Sequence, residues 1–157
     1  MIYLALDQAS NCTGWSVWED RELKDYGKIA MEGEFPNRVI DVREFMLCKY
    51  NELSCNGEKK VEVILENIQL QRNVDTFKKL AQLLGVLECA LVENHIDYHV
   101  VYASEWKSHC GVAGKARAEQ KRNAQKFVLT NYGHKVTQDE ADAICIGKFI
   151  SHSRRVW

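Results

Sequence analysis

The chain contains one proline in 157 residues, and its six cysteines include no CxxC pair. A lone proline excludes proline-rich linkers and polyproline recognition segments. Cysteines without paired spacing argue against zinc-finger and zinc-ribbon frameworks, including one drawing on Cys48, Cys55, His109 or Cys110. The cysteines (Cys12, Cys48, Cys55, Cys89, Cys110 and Cys145) sit largely within apolar runs. The start, MIYLALDQ, lacks the basic leader, long apolar core and small-residue cleavage site of a secretory signal. Free buried thiols in a reducing, cytoplasmic setting are expected rather than a disulfide frame. No stretch approaches the roughly 20 apolar residues that span a bilayer, so no membrane partner is expected. An excess of either charge is missing as well. The net charge is −1, and any electropositive surface must therefore be local.

What is present reads as an ordinary globular chain, 46% hydrophobic and 27% charged. Its length fits one domain spanning residues 1–157. Residues 2–7 (IYLALD) form an apolar run closed by an acid, the pattern of a strand buried on both faces. Asn11 to Gly14 read as a turn, Trp15 to Trp18 as a second strand and Lys24 to Ala30 as a third, making an antiparallel meander. Pro36 separates this meander from a helix whose stripe is Val42, Phe45, Met46, Tyr50 and Leu53, and Asn56-Gly57 ends that helix. Residues 61–66 (VEVILE) repeat the apolar-run-to-acid pattern. A helix with Phe77, Leu80, Ala81, Leu84, Leu87 and Leu91 on one face follows, then a strand over Tyr98–Ala103. The segment from Ser104 to Lys126 is polar, with a helical far half. Thr137-Gln138-Asp139-Glu140 is a capping box opening a last helix through Ala143, Ile144, Ile146 and Ile150. Hairpin strands followed by strand–helix units predict an α/β fold: a five-stranded mixed sheet, antiparallel meander plus parallel strands, flanked by helices on both faces.

Three places in this pattern carry acids that such a fold could gather. Asp7 and Glu66 each end an apolar strand; if the strands are parallel neighbours, their ends lie about 5 Å apart. Asp139 and Asp142 are three apart at the start of the last helix and project from one face. Taken singly, Asp7 reads equally as a turn residue and Asp139 as a complement to the helix dipole. Taken together, four converging carboxylates require cations. Hard divalent ions with oxygen ligands, Mg²⁺ foremost, meet that need, and two ions about 3.5–4 Å apart can activate a water and stabilise the leaving oxygen of a phosphodiester.

The order and context of these residues resemble the RuvC family of Holliday-junction resolvases, within the RNase H-like superfamily. LALDQASNCTGWSVW is similar to the family's first-strand motif. ILENIQLQRNVDTFKKLAQLLGVLE resembles the segment with the second acid, and ASEWKSHCGVAGKARAEQKRNAQ the basic stretch before the third helix. DEADAICIGKFI is similar to the closing D-x-x-D-A motif. The resemblance implies a metal-dependent homodimer that binds four-way junctions and nicks them in pairs. It implies Asp7, Glu66, Asp139 and Asp142 as ligands of two Mg²⁺ ions, with Mn²⁺ able to substitute. It also places Lys107 and Lys121 beside the scissile phosphate. Cellular members carry an aromatic residue three positions after the second acid, where this chain has Gln69 between Ile68 and Leu70. That departure suggests a bacteriophage-type member, less selective among branched DNAs and acting in the cytoplasm of a bacterial host.

The charge distribution points the same way on separate grounds. The block KARAEQKRNAQK holds Lys115, Arg117, Lys121, Arg122 and Lys126 against Glu119 alone. Arg72, Lys78 and Lys79 add cations at the start of the second helix. Such groups neutralise phosphates and release counterions, although a solvated helix face has the same composition. Trp15 and Trp106 read as core or edge packing rather than base-stacking platforms. Two alternatives share the pattern: another RNase H-like nuclease, acting on RNA–DNA hybrids or as a recombinase, and a junction-binding module without catalysis. An actin-like ATPase needs two such domains, for which 157 residues leave no room.

Overall fold

The computed structural model describes residues 1–55, 57–70 and 72–153, with the side chain of Arg117 outside the description. Five strands form one sheet in the order β3-β2-β1-β4-β5: β1 (Ile2–Asp7), β2 (Cys12–Glu19), β3 (Glu22–Ala30), β4 (Val61–Glu66) and β5 (Tyr98–Val101). β1, β2 and β3 pair antiparallel, whereas β1–β4 and β4–β5 pair parallel. This is the mixed sheet expected from the sequence.

Strand periodicity decides where the acids point. Successive side chains alternate between the faces of a strand. In β1, Ile2, Leu4 and Leu6 enter one core, together with Val61, Val63 and Leu65 of β4. Tyr3 and Ala5 enter the opposite core with Ile64. Asp7 and Glu66 share the parity of that second set. The parallel register pairs Leu6 with Leu65, so the two acids follow side by side and face the same way.

The first core is covered by α1 (Phe35–Ser54) and α2 (Val74–Glu93), through Val39, Val42, Met46, Leu83, Leu87 and Leu91. The second is covered by α3 (Ala103–His109), α4 (Arg117–Tyr132) and α5 (Gln138–Ser153), through Trp106, Ala124, Val128, Ala141, Ile144 and Cys145. The helix that brings the last two acids thus lies on the face to which Asp7 and Glu66 already point. Two glycines allow α5 to approach so closely. A Cβ on Gly14 would lie 1.9 Å from the Asp139 carbonyl oxygen, and one on Gly147 would lie 2.2 Å from the Trp18 indole nitrogen. Ser16, buried in β2, donates to the Ala143 carbonyl at 2.7 Å and anchors the helix to the strand.

Several boundaries differ from expectation. Cys12, Thr13 and Gly14 belong to β2 rather than to a turn, because Thr13 bonds Ala9 and lets the hairpin close within residues 8–11. Pro36 lies inside the first turn of α1, where its missing N–H costs nothing. Cys55, in a left-handed conformation, caps α1; Asn56 of the expected stop lies outside the described residues. The fifth strand ends at Val101, since Tyr102 caps a short helix, α3, that strand propensity concealed. At α5, Glu140 accepts from both the Thr137 N–H (2.8 Å) and its hydroxyl (2.9 Å), so the threonine donates where it was expected to accept. Cys48, Cys55 and Cys89 are exposed rather than buried; only Cys110 and Cys145 are core thiols, and all six cysteines are free. Leu83, Leu84 and Leu87 are buried within the chain's own core. No helix among the described residues is long and apolar enough to cross a membrane.

Candidate metal centre

Asp7, Glu66, Asp139 and Asp142 line one cavity of about 400 Å³, together with Lys107, Lys121, Trp106, Gln69 and Leu70. The position of each acid follows from its element. Asp7 and Glu66 stand at adjacent strand ends, Asp139 in the first turn of α5 and Asp142 just beyond it.

The local hydrogen bonding fixes Glu66 from two sides. The Gln8 side chain, 7% exposed, donates its amide to the Glu66 carbonyl at 2.5 Å and accepts from the Glu66 N–H at 3.1 Å. This extends the β1–β4 ladder one step past its last backbone pair, holding the two strand ends together. The Trp106 indole N–H donates to Glu66 Oε1 at 2.8 Å. Trp106 is 1% exposed, so it is core packing, as expected, and also a ligand of the carboxylate, which was not foreseen. Its signal in the sequence was faint: an indole at a core position needs a partner for its N–H.

Electrostatically the cavity is under-neutralised. Burial pushes the Asp7 carboxyl well above its usual range, and Glu66, Asp142 and Asp139 push it further; Asp7 also shares a side-chain hydrogen bond with Glu66. Asp142 is raised to about 7, first by burial and then by Glu66, with Lys107 and Lys121 pulling the other way. The Cys12 thiol is raised to about 11 by burial and then by Asp139, with which it shares a hydrogen bond. Carboxylates that oppose one another's ionisation in a half-buried cavity are hard oxygen donors suited to divalent cations. Among the described residues, no three acidic, histidine or cysteine side chains stand at ligating distance as a preformed cluster. The four acids share a cavity wall rather than a closed coordination sphere.

The cations divide into two sets. Lys107 and Lys121 line the cavity. Lys107 donates to Gln120 Oε1 at 3.2 Å and lies 5.1 Å from the centre of the Trp106 ring. Arg72, Lys78, Lys115 and Arg122 are exposed outside the cavity. Lys79, also exposed, lies over the Phe35 ring at 5.8 Å, which turns it towards α1 and away from the acids. The Arg117 side chain lies outside the described residues.

The family model described as "Crossover junction endodeoxyribonuclease RuvC" matches residues 4–152. The chain belongs to the RuvC family. A curated RuvC from Stenotrophomonas maltophilia is 32% identical over 102 residues, covering 64% of this chain and 57% of that protein. The chain thus spans little more than half the length of the curated relative it matches. Two solved structures share the fold: Thermus thermophilus RuvC, at 18% identity and TM-score 0.69, and T. thermophilus RuvC in complex with a Holliday junction substrate, at 15% and 0.68. Each comparison covers 98% of this chain, and 93% and 92% respectively of those chains. The sheet with helices on both faces is therefore the RNase H-like fold of RuvC.

Proposed function

We propose that this RuvC-family chain is a metal-dependent endonuclease that resolves four-way DNA junctions, and other branched DNA, by paired nicks. The observation that carries the reading is one cavity lined by four carboxylates from three separate stretches of sequence, with two lysines at its wall. Asp7, Glu66, Asp139 and Asp142 would hold two Mg²⁺ ions, with Mn²⁺ able to replace them. Bound there, such ions supply an activated water and charge stabilisation for a phosphodiester.

The chain's own residues supply the rest. Gln8 and Trp106 orient Glu66. Lys107 and Lys121 offset the carboxylate charge and reach towards the phosphate, holding the backbone while the strand is cut. Gln69 lines the cavity at the place the cellular family members give to an aromatic side chain, and its neighbour Leu70, 86% exposed at the cavity rim, presents an apolar tip of the kind that wedges between base steps. Arg72, Lys78, Lys115, Arg117 and Arg122 would extend the phosphate contacts along the arms. Lys79, held over Phe35, would contribute least. The whole of 1–157 would act as one domain, as a homodimer, because two symmetric nicks need two sites related by a two-fold axis, and in the cytoplasm.

A panel of labelled four-way junction, flap, RNA–DNA hybrid and plain duplex tests the reading. Nicking of the junction and flap in Mg²⁺, abolished by chelator, is the expected result. Preferred cleavage of the hybrid would transfer the chain to the hybrid nucleases. Junction binding without cleavage in either metal would make it a binding module.

A further inference from the structure

Lys107 lies in the last turn of α3, half-buried at the wall of the carboxylate cavity. A lysine ammonium on its flexible four-carbon stem is ordinarily free to leave such a wall for water. Here two contacts hold it. Its Nζ lies 5.1 Å from the centre of the Trp106 ring, and it donates to Gln120 Oε1 at 3.2 Å. Among the described residues, no carboxylate forms an ion pair with it. The other end of the same amide is also engaged: Gln120 Nε2 donates to the Gly114 carbonyl at 2.7 Å. Gln120, on α4, therefore ties α3 to the loop of residues 110–116 that joins the two helices. Only one orientation of its amide suits both partners. Turned over, the NH₂ would face an ammonium and the oxygen would face a carbonyl.

Support of the loop explains half of this arrangement. Ala116, the N-cap of α4, offers no side-chain hydrogen bond, and the loop before it is held from within the helix instead. Glu119 accepts from the Lys115 N–H at 3.2 Å, and Gln120 satisfies the Gly114 carbonyl. Any side-chain donor of similar length would serve that carbonyl. It leaves unexplained why the amide oxygen is turned on Lys107, in a cavity that Gln120 also lines. The chemistry of the acceptor supplies the reason. A carboxylate would pair the ammonium and cancel its charge. A neutral oxygen fixes one of the three ammonium N–H groups and leaves the charge and two donors for a phosphate.

We propose that Gln120 is a positioning residue for strand cleavage: it holds the Lys107 ammonium, still charged, at the cavity wall and joins it to the loop that carries Lys115. The assignment rests on the nuclease reading, in which Lys107 reaches towards the phosphate. Lys115 is exposed and follows Gly114 directly, so a DNA backbone drawn to Lys115 engages the segment that also fixes Lys107. Contact at the loop and the place of the ammonium at the cut are then joined through one side chain.

The test compares Gln120→Met, which keeps length and packing but makes neither hydrogen bond, with Lys107→Met and the double variant. With protein saturating, single-turnover nicking of a four-way junction in Mg²⁺ should slow about tenfold or more in Gln120→Met, while junction affinity in Ca²⁺ changes far less. In the Lys107→Met background the same substitution should slow nicking no further, because Gln120 acts through Lys107. A purely structural role would slow both backgrounds alike. A second readout needs neither metal nor cleavage. The side-chain methylene NMR resonances of Lys107 should collapse towards the free-lysine position in Gln120→Met, while those of Lys126, exposed further along α4, stay still. If the unsubstituted protein nicks no branched DNA, the nuclease reading fails and the role in cleavage fails with it. If it nicks, but the double variant shows an additive loss or the Lys107 resonances do not move, the assignment of Gln120 alone is overturned.

Discussion

An indole N–H directed at a carboxylate decides which oxygen lone pairs remain for other ligands, and Trp106 does this to Glu66 at 2.8 Å. Partners of metal-binding groups typically contribute 10–100-fold to metal affinity. Trp106→Phe keeps the buried ring and removes the N–H. It should weaken Mg²⁺ binding about tenfold in a calorimetric titration, while costing only about 1 kcal/mol in stability. Unchanged affinity would leave Trp106 as packing alone. The titration of the acids gives a second expectation. A carboxyl raised on folding binds more protons in the folded than in the unfolded chain, so stability falls as pH rises from its unfolded value towards its folded one. For Asp142 that window runs from the ordinary carboxyl range, about 4, to about 7, and the raised Asp7 acts in the same direction. Metal-free protein should therefore melt at progressively lower temperature across this window, and Mg²⁺ should restore the loss. Asp142→Asn should flatten the profile; a melting temperature that climbs with pH would contradict the account. At this scale the four acids were legible in the sequence because each ends or opens a periodic element. Gln8 and the indole bond of Trp106 were not, because both roles depend on a neighbour 58 or 40 residues away.

Elements meet through small residues here. β2 and α5 approach so closely at Gly14 that any side chain there would strike the backbone of Asp139. Gly14→Ala should cost about 1–3 kcal/mol as overpacking. It should also displace the start of α5, lowering metal affinity along with the denaturation midpoint. A variant that loses stability but binds Mg²⁺ normally would separate the packing from the site. Strand and long-helix assignments followed from hydrophobic period, and the parity of β1 and β4 even fixes the face on which Asp7 and Glu66 emerge. The short α3 escaped for a physical reason. YHVVYA has the β-branched and aromatic content of a strand, whereas the turn into a helix at Tyr102 is set by Glu105 accepting from the Tyr102 N–H at 2.8 Å and by burial of Trp106. The capping box at Thr137 was readable in kind, though not in the direction of its hydrogen bonds.

Over the whole molecule the net charge of −1 conceals a division. Four acids gather in one cavity, while Lys115, Arg122 and Lys126, with Lys121 at the cavity wall, line up along α4 and the loop before it. Affinity for DNA should then depend on these local cations and fall steeply with salt. Charge reversal at Lys121 and Arg122 should weaken junction binding and reduce the magnitude of the salt slope by about two; an unchanged slope would move the DNA surface elsewhere. The most direct measurement is single-turnover cleavage of a four-way junction by Glu66→Gln, paired with junction binding in Ca²⁺. If Glu66 holds metal as proposed, its loss should remove several kcal/mol of transition-state stabilisation, slowing nicking in Mg²⁺ about a thousandfold or more while binding in Ca²⁺ stays as in the unsubstituted protein. Nicking at near the original rate would mean that Glu66 holds no metal, and that the cavity is not where the strand is cut.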